Sequence, residues 1–239
     1  MKYSWAIESH VGLVRSGNED SFWPANDDAG DGPVVIAVAD GMGGATAGEV
    51  ASRLAIDAAT ADDVETIPDP ADRILRANMV LNDAIEADPA LAGMGTTLTL
   101  GVFHPDGSLQ VAHVGDSRAY VLSQGELRQL TEDHTLVARL VADGLITPAE
   151  ARTHPRRHVV MQSVGMPDVD IERIDNQLEP GDRVLICSDG LTGMVEDFEI
   201  ARILTEAASP SEAAWKLIDA ANAAGGHDNT TVAVVDVAP

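Results

Sequence analysis

Cysteine is almost absent: there is one, Cys187, in 239 residues. That excludes an internal disulfide framework and cysteine-rich zinc or iron–sulfur sites. Lysine is scarce too. Only Lys2 and Lys216 occur, against 13 arginines, and 39 acidic residues leave a formal charge of −24. Such a chain has little with which to neutralise phosphates along a duplex, so no nucleic-acid partner is expected. An anionic membrane surface would repel it. No apolar run approaches the ~18 residues that span a bilayer. Met1–Trp5 lacks the basic-then-apolar pattern of a signal peptide. The expectation is a cytoplasmic protein in a reducing compartment, away from membranes.

The length fits one domain, which buries roughly 70% of its unfolded surface without a stabilising metal. No fixed repeat, low-complexity tract or linker interrupts it. Short β-branched runs predict strands at Val34–Ala39, Thr96–Phe103, Leu109–Val114, Arg118–Leu122, Arg183–Cys187 and Thr230–Val237. Two links are short, 103–107 and Gly115-Asp116-Ser117, and both read as hairpin turns joining antiparallel strands. Helix starts are marked by Thr46 with Glu49, Asp69-Pro70, Thr147-Pro148-Ala149-Glu150 and Ser209-Pro210-Ser211-Glu212, and Gly225-Gly226 closes the last helix. The pattern is α+β, with helices covering sheet faces. Residues 133–167 form a long excursion between strands, of the kind that serves as a functional flap.

Acids recur where apolar strands end. Asp40-Gly41 follows Val34–Ala39, Asp189-Gly190 follows Arg183–Ser188, Gly115-Asp116 follows Val111–Val114, and Asp228-Asn229 precedes the last strand. A single Asp-Gly at a strand end is ordinary turn chemistry. Four aspartates at strand ends, with Asn18-Glu19-Asp20 close after Arg15, point instead to carboxylates meeting at one edge of a sheet sandwich. Buried unpaired carboxylates are costly. A hard divalent cation resolves the repulsion, and an all-oxygen donor set favours Mg²⁺, Mn²⁺ or Ca²⁺ over zinc.

The motifs in chain order are Gly12–Ser21, Ala39-Asp40-Gly41-Met42-Gly43-Gly44, Met94-Gly95-Thr96-Thr97, His113–Tyr120, Leu130–His134, Cys187–Leu191 and Asp228–Thr231. In this order, over nearly the whole chain, the sequence resembles the metal-dependent protein serine/threonine phosphatases of the type-2C (PPM) family, in their bacterial, catalytic-domain-only form. The resemblance implies one catalytic domain over residues 1–239, a four-layer sandwich of two antiparallel sheets flanked by pairs of antiparallel helices. It implies that Asp40, Asp189 and Asp228 hold one Mg²⁺ or Mn²⁺ ion. Asp40 and the Gly41 carbonyl hold a second, with Glu19 on its water shell, and Asp116 with Asp189 binds a third. Arg15 grips the substrate phosphate. A hydroxide bridging two ions then attacks phosphorus in line. The implied partners are phosphorylated proteins, among them a Ser/Thr kinase and its targets, met by a monomer. The second reading is a catalytically silent relative that binds a partner through the same fold. Such proteins lose metal ligands, whereas Arg15, Asp40, Asp189 and Asp228 are all present.

Met42 stands where many eukaryotic members carry a proposed general acid, His. A thioether donates no proton, so leaving-group protonation is expected to fall to a metal-bound water. Other readings fail on spacing. Gly41-Met42-Gly43-Gly44 does not complete a dinucleotide fingerprint, because Thr46 stands in the sixth position. Gly43–Gly48 is followed by Glu49-Val50 in place of the Walker lysine. Gly193 stands where a cysteine phosphatase needs arginine, so Cys187 reads as core. His154 and His158 read as flap surface. Arg156-Arg157, the only paired arginines, suggest a contact for a phosphoprotein.

Overall fold

Alternation along the strands sets the layers. In the computed structural model, which describes residues 1–61 and 69–238 except for the side chains of Ala45 and Thr46, twelve strands form two antiparallel sheets. The first sheet holds β1 (Lys2–His10), β3 (Asp28–Gly30), β8 (Arg118–Ser123), β9 (Glu126–Gln129), β11 (Arg183–Cys187) and β12 (Thr230–Ala238), in the order β3-β1-β12-β11-β8-β9. The second holds β2 (Asp20–Trp23), β4 (Val34–Met42), β6 (Leu98–Phe103), β7 (Ser108–Val114) and β10 (Glu172–Gln177), in the order β10-β7-β6-β4-β2. The two-residue β5 (Gly95–Thr96) pairs with the end of β4.

Even and odd residues of each central strand face different cores, as a period of two requires. Ile36 and Val38 of β4 meet Val184 and Ile186 of β11 and Ala233 and Val235 of β12 between the sheets. Val35, Ala37 and Ala39 face outward onto α1 (Ala45–Thr60) and α2 (Pro70–Ala87). On the far side, Leu185, Cys187, Val232 and Val234 face α6 (Asp197–Glu206) and α7 (Pro210–Ala223). The result is the expected four layers, helices–sheet–sheet–helices. Strands covered on both faces read as unbroken apolar runs, which is why their sequences stood out. Cys187 is fully buried, as expected, and burial pushes its thiol up to about 12.

Two expectations are corrected. Gly115-Asp116-Ser117 is no hairpin turn, because β7 lies in the second sheet and β8 in the first. From Val114 to Arg118 the chain reaches roughly 13 Å at ~3.3 Å per residue, enough to cross the ~10 Å between stacked sheets. Gly115 makes the corner at φ +114°, with Thr97 so close that a Cβ would lie 2.5 Å from its methyl. The second correction is at α1, which begins at Ala45 with Gly44 at the cap and no side-chain cap bond. The Thr46–Glu49 box is therefore not the start. The other caps are as read. Asp69 accepts from Ala71 N–H, Thr147 and Glu150 form a reciprocal capping box, and Ser209 accepts from Glu212 N–H.

The excursion at 133–167 carries α3 (Leu136–Ala142) and α4 (Pro148–Thr153). It is tied down at several points. Arg118 grips Asp133 at its root through two bonds of 2.7 Å, Thr135 bridges to Val160, Val164 bridges to Thr96, and Arg152 pairs with Glu196 at 2.8 Å.

Candidate metal centre

At one edge of the sandwich a cavity of about 370 Å³ opens, lined by Arg15, Glu19, Asp40, Gly41, Asp116, Asp189 and Asp228. All seven residues singled out in the sequence therefore meet in one place. They arrive from five parts of the chain: Arg15 and Glu19 from the loop after β1, Asp40 and Gly41 from β4, and Asp116 from the corner between sheets. Asp189 opens the short helix α5 (Asp189–Thr192), and Asp228 stands just before β12.

The backbone around Asp40 is held on both sides. Its N–H donates to Thr97 Oγ1 at 2.9 Å, and its carbonyl accepts from Thr97 N–H and Thr96 Oγ1 at 2.9 Å each. Thr97 Oγ1 also bonds Ser117 Oγ at 2.7 Å, which joins β4 to the Asp116 corner. This pull interrupts the strand expected over Thr96–Phe103, which is observed as β5 and β6. Asn229 pins the opposite wall. Its amide donates to the carbonyls of Val11 and Gly17 at 2.9 Å, and its oxygen accepts from Glu19 N–H at 2.8 Å. Gly41 and Gly48 of α1 touch so closely that a Cβ on Gly41 would lie 2.1 Å from Gly48 O, and one on Gly48 would lie 1.9 Å from Glu19 Oε2. Asp20 lies buried on β2 and receives Ser188 Oγ at 2.9 Å and Thr231 Oγ1 at 2.6 Å, so it ties the second sheet to the chain just after β11 and to the start of β12, next to Asp189 and Asp228.

Five carboxylates lining the cavity face one cation, Arg15, whose Nη2 lies 2.8 Å from Asp228 Oδ2. That hydrogen bond, together with the charge of Asp228, raises the guanidinium further above its ordinary value. Burial, then the neighbouring acids Asp20, Asp189 and Asp116, holds the Asp40 carboxyl well above the usual range. Asp116 is raised in the same way by burial and by Asp189, and Asp189 by burial and by Asp228. Burial lifts Asp20 to about 7, against the two hydroxyl bonds that favour its anion. Glu19 is raised by burial, with Arg15 opposing. A site that penalises its own anions this strongly, with carboxylate and carbonyl oxygens as its main donors, fits a hard divalent cation.

A second group, His113, His134 and Glu172, also places donor atoms within 4.8 Å of one another. Its atoms are otherwise engaged. His113 Nδ1 meets Thr99 Oγ1 at 2.8 Å, and Nε2 faces the carbonyls of Gly115 and Glu132 at 3.0 and 3.1 Å. A nitrogen facing two carbonyls carries the proton and has no lone pair for a metal. His134 Nδ1 accepts Gly115 N–H at 3.3 Å, and Glu172 Oε2 accepts Glu132 N–H at 2.9 Å. This cluster holds the Gly115 corner and, through it, Asp116.

Thr97, Asn229, Ser188 and Thr231 lie within the quoted motifs, yet their supporting roles were not read, because each acts across elements distant in sequence. Gly48 stands in the sequence only as the end of the failed phosphate-loop spacing, with nothing to mark its contact with Glu19. His158, read as flap surface, lines the cavity together with Val160. His154 does not; its Nδ1 accepts the Arg156 N–H at 3.1 Å and shapes the turn.

Comparison with known proteins gives the family and the fold. The model of the family described as protein phosphatase 2C matches residues 15–220. The serine/threonine protein phosphatase PstP of Mycobacterium tuberculosis is 43% identical over 98% of this chain, which spans only 45% of that relative's length. The serine/threonine phosphatase stp of Listeria monocytogenes is 38% identical, with 94% of this chain and 92% of the relative covered. Among solved structures, the M. tuberculosis PstP/Ppp phosphatase superposes with a TM-score of 0.91 at 40% identity, covering 100% of both chains. The PstP catalytic domain in complex with two manganese ions gives 0.88 at 39%, covering 100% of this chain and 99% of that one.

Proposed function

The chain belongs to the protein phosphatase 2C family, and from that premise we propose that it is a metal-dependent phosphatase acting on phosphoserine and phosphothreonine in proteins. The observation that carries this reading is the convergence of Glu19, Asp40, Asp116, Asp189 and Asp228 on one cavity with Arg15 at its side. Asp40, Asp189 and Asp228 would hold one ion, and Asp40 with the Gly41 carbonyl a second, with Glu19 on its water shell. Asp116 with Asp189 would take a third. The manganese-bound PstP relative supports Mn²⁺ or Mg²⁺ as the metal. Two such ions supply hydroxide at neutral pH and offset charge on the phosphoryl oxygens.

The remaining work falls to the chain itself. Arg15 offers a planar fork to the phosphoryl oxygens and steadies charge as phosphorus is attacked in line. The close contact between Gly41 and Gly48 keeps the Gly41 carbonyl and the Glu19 carboxylate at the rim of one cavity. Residues 1–239 act as one catalytic domain, with 133–167 as its flap. The substrates are phosphorylated proteins, a bacterial Ser/Thr kinase and its targets among them, met by a monomer in the cytoplasm. In the structure, no helix among the described residues is long and apolar enough to cross a membrane. Arg156 and Arg157 are exposed on the flap and are assigned to phosphoprotein recruitment. Unchanged phosphoprotein turnover in the Arg156→Ala/Arg157→Ala double variant would remove that role.

The test is phosphate release from a threonine-phosphorylated peptide with Mn²⁺ or Mg²⁺. Turnover that disappears with chelator is expected. No turnover at any cation concentration would refute the enzyme reading in favour of a silent partner-binding relative. An active Asp189→Asn variant would refute the ligand assignment.

A further inference from the structure

A phosphoserine or phosphothreonine ester leaves as an alkoxide, which is so basic that departure at neutral pH needs a proton in the transition state. Of the side chains that line the cavity, few can supply one. Met42 is a thioether. Arg15 does not give up its proton at any working pH. Thr97 Oγ1 is engaged with Ser117 and the Asp40 N–H. The acids are expected to be ionised once cations are bound. Ser16 offers only a hydroxyl as weakly acidic as the leaving alcohol itself, which leaves His158, an imidazole lining the same cavity.

Its placement suits the task. His158 is exposed on the flap, so its ring is open to water. The backbone on its C-terminal side is anchored. Leu136 N–H donates to Val159 O at 2.9 Å, Met161 N–H donates to His134 O at 2.7 Å, and Val160 bridges to Thr135. The ring is near enough to Asp189 to favour that carboxylate's charge. It therefore faces the acidic floor while standing on the solvent side.

Resting on the proposed phosphatase reading, we infer that His158 is the general acid for the leaving group. As the hydroxide oxygen forms its bond to phosphorus, the bond from phosphorus to the seryl or threonyl oxygen breaks. Its electron pair passes to that oxygen, which takes the proton from a His158 ring nitrogen. The products are inorganic phosphate and the free hydroxyl, and neutral His158 regains a proton from water. This assigns to the flap the proton that the sequence, with Met42 in view, left to a metal-bound water.

The test compares two substrates on the Mn²⁺-loaded protein: a phosphothreonine peptide, and p-nitrophenyl phosphate, whose phenolate leaves without a proton. His158→Gln is expected to lower kcat on the peptide by roughly 100-fold or more, and to leave p-nitrophenyl phosphate nearly unchanged. Mn²⁺ affinity by calorimetry is expected to stay as in the unaltered protein. Equal losses on both substrates, no loss on the peptide, or weakened Mn²⁺ binding would each overturn the assignment and leave the phosphatase reading standing. If the unaltered protein releases phosphate from neither substrate, that reading falls and this one with it.

Discussion

Asp20 on β2 and Asp40 on β4 stand directly opposite one another as a cross-strand pair. Like charges in that position destabilise a sheet. Here the pair is retained with Asp20 buried beneath the cavity and Asp40 on its wall. The two hydroxyls on Asp20 and the proposed cations on Asp40 give each carboxylate its own compensation. The metal-free protein is thus held together against a local repulsion.

A pH dependence follows. Asp20 is lifted to about 7, and Asp40, Asp116 and Asp189 are raised in the same direction. Above the ordinary carboxyl range the folded state then binds more protons than the unfolded one, so stability falls as pH rises. His113 acts oppositely. Burial lowers it to about 3, so its contribution is lost as pH falls below the ordinary histidine value of ~6.5. Between about pH 6.5 and 8 only the carboxyl effect operates. Thermal midpoints in chelator should be lower at the upper end of that window, and Mn²⁺ should raise the midpoint most there. A midpoint that does not move with pH would contradict the repulsion.

Gly48→Ala places a methyl where the Glu19 carboxylate now lies, 1.9 Å from Oε2. Alanine favours the helix, so the fold should survive. If Glu19 stands on the metal's water shell as proposed, displacing it weakens Mn²⁺ affinity by about 10- to 100-fold, read by calorimetry. Unchanged affinity would detach Glu19 from the site.

Arg15→Met should lower kcat/KM on a phosphothreonine peptide by about 10- to 150-fold, the equivalent of a charged hydrogen bond worth ~1.5–3 kcal/mol. Arg15→Lys should recover only part of this, since a point charge cannot reproduce the fork. Full activity in the Met variant would show that phosphate is held elsewhere.

Arg183 is the structural counterpart of Arg15. Its Nη2 meets Asp236 Oδ2 at 2.8 Å and its Nη1 the carbonyl of Ala207 at 3.0 Å, joining β11 and β12 to the end of α6. Asp236→Ala leaves this mostly buried guanidinium without its anion and should cost ~3–5 kcal/mol, measured by urea unfolding. Replacing both partners by apolar residues should cost less. Equal losses in the single and double variants would argue against a charge effect.

The strands β4, β6, β7, β8, β11 and β12 were legible because both faces of each are covered, which leaves continuous apolar runs such as Val34–Ala39; the interior strand β1, partly exposed along most of its length, was not. The edges were not. β10, Glu-Arg-Ile-Asp-Asn-Gln, exposes every second residue on the outside of its sheet and carries one apolar side chain. β2 and β3 are too short for a pattern to show. The motifs named the acids of the site, since each sits beside glycine or at a strand end where the chain must turn.

By itself, the sequence determined the family, the α+β layering and the roster of candidate ligands, because those depend on residue type and order. Only the tertiary structure decided how they meet. It turned the Gly115–Ser117 link from a hairpin into a crossing between sheets, because a three-residue corner at positive φ reaches the stacked sheet as readily as the neighbouring strand. It put Asp20 under Asp40, Gly48 against Glu19 and His158 over the acids. Those are contacts between residues far apart in the chain, which strand pairing, the packing of α1 and the path of the flap bring within reach.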